Sequence, residues 1–141
     1  MSGWQPAQLS SLIAASLNGT LSFPALLGAL AQAGVVAYRI DYSARQWRFY
    51  GAQDDTLDLP LALPDLPPVA PVWDASALRA AILESQTQGQ SFADFSARAT
   101  RAGVQAYQVF LQGQRVLYQG RHGDTHLEWF PGAQAAHAGN V

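Results

Sequence analysis

The chain has 141 residues, 49% hydrophobic, 11% aromatic and only 13% charged, with a net charge of −2. That length suits one domain with a real core, and the absence of Cys excludes disulfides, thiolate nucleophiles and zinc–thiolate sites. The small net charge gives no electrostatic footprint for nucleic acid or an anionic membrane.

Residues 1–38 carry no charged side chain. A secretory leader needs a positive segment before its apolar run, and a spanning helix needs roughly twenty unbroken apolar residues. Here the run follows MSGWQPAQ and is broken by Asn18-Gly19-Thr20 and by Pro24. The expectation is a cytoplasmic protein without a membrane segment.

A first helix is predicted near residues 6–17, with Pro6 at a first helical position and Asn18-Gly19 as its stop. A second begins at Ser22-Phe23-Pro24 and ends at Gly34, where a left-handed backbone suits a residue without Cβ. The stretch from Pro24 to Ala33 is apolar nearly all round, so it must be covered on both sides. Leu26, Leu27 and Leu30 are therefore candidate contacts for a protein partner or a second copy, with burial inside the domain as the alternative. Alternation through Val36, Tyr38, Ile40 and Tyr42 predicts a strand. A turn at 43–45 leads into Trp47-Arg48-Phe49-Tyr50, and a third strand covers 56–61. The proline-rich stretch 60–72 reads as an extended linker, since proline neither continues a helix nor donates to a ladder.

The second half repeats this order. A helix at 74–87 starts from Asp74, and another runs from Ser91, with Asp94 in a capping-box position, to Gly103. Strands follow through Tyr107, Val109 and Leu111, then at 115–119 after a two-residue hairpin turn at Gln112-Gly113, then at 125–130. The tail 133–141 is expected to be disordered.

AGVVAY at 33–38 returns as AGVQAY at 102–107, an offset of 69, and that offset gives 14 identities in the 53 positions from 4 to 56. Trp4 falls on Trp73, Leu9 on Leu78, Gly51 on Gly120, and Asp55-Thr56 on Asp124-Thr125. The pattern reads as an internal duplication. Half-repeats 4–59 and 73–130, each helix-helix-strand-strand-strand, would share one α+β domain over 1–132, an antiparallel sheet with helices on one face and a pseudo-two-fold axis. One six-stranded sheet and two smaller sheets are both compatible with it.

Positions alike in both halves point to the fold, so Tyr38 and Tyr107 are expected in the core with hydroxyls satisfied at its rim. Positions that differ are free for function. Where the first half has Gln53, Leu57 and Leu59, the second has His122, His126 and Glu128, around Asp124. Spacing of two puts His126 and Glu128 on one face of a strand, with Asp124 and His122 in the turn before it. Imidazole and carboxylate would suit a divalent metal ion or an acid–base pair. The plainer alternative is a solvent-facing polar side, with Leu127 and Trp129 toward the core. Arg39, Arg45 and Arg48 interleave with Trp47, Phe49 and Tyr50, a pattern that can stack single-stranded nucleic acid. In an acidic chain an ordinary amphipathic hairpin is the better account.

The stretches SFPALLGALAQAGVVAY, AGVQAYQVFLQGQRVLYQGR and GDTHLEWFPG resemble a family of small bacterial proteins typified by YbcV and YdfO, sometimes labelled phage envelope proteins, over about residues 9–132. The family's Gly-(Asp/Glu)-x-His-x-Glu-x-Phe-Pro ending is matched by Gly123, Asp124, His126, Glu128, Phe130 and Pro131, and leaves His122 outside it. The resemblance implies an α+β fold and a prophage or bacterial origin, and no activity. The chain has no nucleophile–His–acid set, phosphate loop or dinucleotide fingerprint, so an enzyme of a common class is not expected. The reading is a non-enzymatic binding or regulatory module of prophage-type origin, acting through a protein partner or as a homodimer. The alternative is a divalent-metal or small-ligand-binding protein, with hydrolysis as its further option, using Asp124, His126 and Glu128.

Overall fold

Capping chemistry sets the helices. The structure, a computed structural model, describes residues 4–133, with helices α1 (Pro6–Leu17), α2 (Phe23–Gln32), α3 (Ala75–Thr87) and α4 (Phe92–Arg101). Ser22, Asp74 and Ser91 each accept a hydrogen bond from the backbone N–H three residues on, at 3.3, 3.0 and 3.0 Å. Such a cap satisfies one of the donors that every helix start leaves open. α1 starts without a side-chain cap, with Pro6 in its first turn. α2 and α4 stop at Gly34 and Gly103, both at φ 93°.

Strands β1 (Val35–Asp41), β2 (Gln46–Gly51), β3 (Thr56–Pro60), β4 (Val104–Phe110), β5 (Arg115–Gly120) and β6 (Thr125–Trp129) form one antiparallel sheet in the order β3-β2-β1-β4-β5-β6. The centre is the β1–β4 pairing, where Arg39 faces Gln108. Ala37 pairs with Phe110 on one side of that point and Asp41 with Ala106 on the other, so the pairing is two-fold about its middle. The outer pairings recur at an offset of 69: Val35 with Gly51 and Val104 with Gly120, Gln46 with Pro60 and Arg115 with Trp129. The irregularity between Val35 and Ala37 recurs between Val104 and Ala106.

Side chains alternate across each strand. The helix-facing side carries Tyr38, Ile40, Trp47, Phe49, Tyr107 and Val109, all buried, each contributing on the order of 2 kcal/mol of transfer free energy. The opposite side carries Arg39, Arg48, Leu117 and Leu127, and among the described residues no helix covers it: the helices share one core with the inner side. There Arg48 holds Asp58 through two hydrogen bonds of 2.7 and 2.9 Å.

The strand connections depart from expectation. Four residues, 111–114, join β4 to β5, and the last pair is Phe110 with Arg115. A two-residue type I′ turn would need positive φ at both Gln112 and Gly113; the left-handed residue is instead Gln114 (φ 56°), whose N–H donates to the Phe110 carbonyl at 2.8 Å. Arg45 (φ 58°) takes the matching place between β1 and β2.

The linker has no regular structure, yet Leu61, Leu63 and Leu66 are buried in the core. The Arg45 guanidinium donates to the carbonyls of Leu63 and Leu66, both at 3.3 Å. Ala133, the first residue of the expected tail, is buried and donates to the Phe130 carbonyl at 2.9 Å; the rest of that tail lies outside the described residues. Among the described residues no helix is long and apolar enough to cross a membrane.

Candidate functional site

On the helix-facing side, β2 and β3 set Trp47 opposite Leu59 and Phe49 opposite Leu57. The same register in β5 and β6 sets Val116 opposite Glu128 and Tyr118 opposite His126. A tryptophan–leucine pair is thus replaced by valine–glutamate, which removes an indole and adds a charge. In the first half the indole of Trp47 meets Phe92 of α4 at 5.3 Å between ring centroids. Phe23, in the matching place on α2, meets Phe130 edge-on at 6.3 Å and stays 47% exposed. The volume left over is a cavity of about 500 Å³, open between α2, the α3–α4 connection and the sheet. Its walls include Tyr38, Trp47, Phe92, Phe95, Tyr118 and Phe130, and Glu128 is its one charged lining residue among the described residues.

His126 and Glu128 meet as the spacing suggested, with Nε2 3.0 Å from Oε1. With its proton on Nε2, the imidazole donates to the carboxylate. Their side chains are 20% and 32% exposed, and both lie on the inner side of the sheet. The plainer expectation is reversed: Leu127 and Trp129 are on the open side, Leu127 45% exposed and Trp129 under the Arg115 guanidinium at 4.1 Å. A carboxylate in an apolar wall is costly unless paired.

Four buried tyrosines stand in and beside the cavity wall. Burial is the main cause raising the Tyr38, Tyr42, Tyr107 and Tyr118 hydroxyls above the ordinary tyrosine range; for Tyr118, neighbouring Tyr42 and Tyr38 and the charge of Glu128 add to it. Tyr42 donates to Ser96 at 2.9 Å, and Tyr107 is hydrogen-bonded to Tyr42. The Trp47 Nε1 is buried with no hydrogen-bond partner among the described residues, an omission that proteins seldom tolerate without a reason.

Asp124 is not part of this group. It is exposed in the β5–β6 turn, where its carbonyl accepts from Gly120 at 2.8 Å, as that of Asp55 does from Gly51. The residue common to both halves thus serves the turn. His122 is exposed in the same turn. Among the described residues no three His, Cys, Asp or Glu side chains are placed to hold one metal ion. Leu26 and Leu30 are 2% and 0% exposed, and Leu27 packs partly against the core. α2 is apolar all round because Ala25 and Gly28, on its exposed side, are small. The Arg–aromatic hairpin is split by the pleat, Trp47 and Phe49 inward, Arg48 and Tyr50 outward. Val116 escaped the sequence reading, although comparing residues 69 apart sets it on Trp47.

The sequence pattern of a family described as "Protein of unknown function (DUF1398)" matches residues 11–128. Uncharacterized protein Rv2012 of Mycobacterium tuberculosis is 33% identical over 115 residues, covering 82% of this chain and 68% of the relative. Uncharacterized protein Mb2035 of Mycobacterium bovis shows the same identity and coverage.

Proposed function

The chain belongs to the DUF1398 family, and from its geometry we propose that it is a binding protein that takes a small, mainly apolar molecule into the cavity beside β5 and β6. The observation that carries this reading is the replacement of Trp47 and Leu59 by Val116 and Glu128 in an otherwise matching register. A single core has no use for a void walled by aromatics, because interiors pack to crystal density. The volume of about 500 Å³ lies within the range of small-molecule sites. Two protein ligands, His126 and Glu128, are fewer than the three or four that a zinc site uses, so an organic ligand is favoured over a metal ion. The recurrence of strand register at an offset of 69 supports descent of the two halves from one duplicated unit. The Gly123–Pro131 ending supports the likeness to YbcV and YdfO.

Titration with naphthylmethanol and its ammonium and carboxylate analogues tests the reading, followed by intrinsic tryptophan fluorescence and thermal shift. At least one is expected to bind the wild type and none the Val116→Trp variant, which restores the indole that the first half carries. Absence of binding by all three at millimolar concentration overturns it. Self-association is the second reading, and its support is the open side of the sheet, where Leu127 is 45% exposed beside Leu117, rather than Leu26, Leu27 and Leu30. Light scattering at high concentration decides it: a purely monomeric species excludes a homodimer.

A further inference from the structure

We infer, resting on the cavity reading above, that the ligand carries one positive charge, as an amine or quaternary ammonium, on an apolar or aromatic body. The charge inventory leads there. The chain has no lysine, and none of its 8 arginines lines the cavity. The ones nearest in sequence are committed elsewhere: Arg115 lies over Trp129 on the other side of the sheet, and Arg121 donates to the Val69 carbonyl at 3.1 Å. Glu128 thus faces no cationic side chain of the lining; its Oε1 lies 3.0 Å from His126 Nε2, and its charge acts on the buried Tyr118 hydroxyl.

Tyr118, on the neighbouring strand β5, feels the charge of that carboxylate, and Tyr38, Trp47 and Phe92 line the same cavity farther along the sheet. Aromatic faces are negative and attract cations, more strongly where water is excluded. An anionic ligand would meet the Glu128 charge, and a neutral one would return at most a hydrogen bond for the water that the carboxylate gives up. A cation answers both the carboxylate and the rings. The first half supplies the contrast: with Leu59 in the place of Glu128 and Trp47 filling the space, it has neither the charge nor the room.

Three probes that share a naphthyl body and differ in charge test the preference on the full chain: naphthylmethylammonium, naphthylmethanol and naphthoate. Calorimetric titration is expected to rank the ammonium at least about tenfold tighter than the alcohol, with naphthoate weakest. Glu128→Gln, which keeps shape and the contact with His126, is expected to bring ammonium and alcohol within about twofold of each other. If wild type binds all three alike, or naphthoate best, the cation assignment falls while the cavity reading stands. An ammonium preference that survives Glu128→Gln also overturns the assignment, because another group then supplies it. If none binds, both readings fall. The ranking on wild-type protein needs no variant, so a misfolded Glu128→Gln leaves the test decisive.

Discussion

His126 Nε2 lies 3.0 Å from Glu128 Oε1 on the helix-facing side of β6, where the matching positions of β3 hold Leu57 and Leu59. A polar pair thus stands where the same architecture elsewhere uses two leucines. Groups kept against the interest of stability are characteristic of binding sites. Glu128→Leu is therefore expected to raise stability by about 1 kcal/mol while abolishing ammonium binding. Thermal unfolding checks it: a midpoint at or below that of the wild type would show that the carboxylate is well accommodated.

The two helix-stop glycines have the same backbone and different surroundings. At Gly34 a Cβ would meet only the Trp4 Nε1, at 3.7 Å. At Gly103 it would stand 2.6 Å from the Val72 carbonyl oxygen and 3.0 Å from the Trp73 Cα, backbone atoms where the linker meets the second half. Gly34→Ala should cost about 1–2 kcal/mol for the left-handed conformation alone. Gly103→Ala should cost at least about 1 kcal/mol more. Equal losses in denaturant unfolding would mean that the linker yields freely.

Tyr38, Tyr42, Tyr107 and Tyr118 have hydroxyls raised by burial above the value near 10 of an unfolded chain. Between those values the native state holds more protons than the unfolded state, so stability is unaffected below about pH 10 and falls as pH rises past it. Absorbance of tyrosinate should show these four ionising together with alkaline unfolding, monitored by circular dichroism. Ionisation of all the tyrosines while the fold persists would contradict their burial.

The two sides of the sheet should respond unequally to substitution. Leu127→Lys, on the open side at 45% exposure, is expected to change stability by no more than about 0.5 kcal/mol. Phe49→Ala, at 0% exposure on the inner side, should cost about 3–5 kcal/mol. A large loss for Leu127→Lys would restore the opposite assignment, with Leu127 and Trp129 toward the core.

Much of the architecture is legible in local chemistry. Ser22, Asp74 and Ser91 announce helix starts, Gly34 and Gly103 announce stops, and alternation through Tyr38 and Ile40 announces a strand, because each signal acts within a few residues of itself. The pairing of His126 with Glu128 was legible for the same reason, a spacing of two on an extended strand. Which side of the sheet they face was not, since a shift of one residue exchanges the sides and only the partner strand sets it. Nor does chemical type place Asp124, whose likeness to Asp55 belongs to the turn, or Leu26 and Leu30, whose cover comes from distant parts of the chain.

The sequence by itself determined the elements, their order and the likeness of residues 69 apart, all properties of neighbours along the chain or of direct comparison between its halves. Tertiary structure alone decided that the strands join in one sheet through β1 and β4, that the open side is the one bearing Leu127, and that Val116 and Glu128 border a cavity. A void is a property of what surrounds it: a valine reads as an ordinary core residue until the fold sets it where the other half needs an indole.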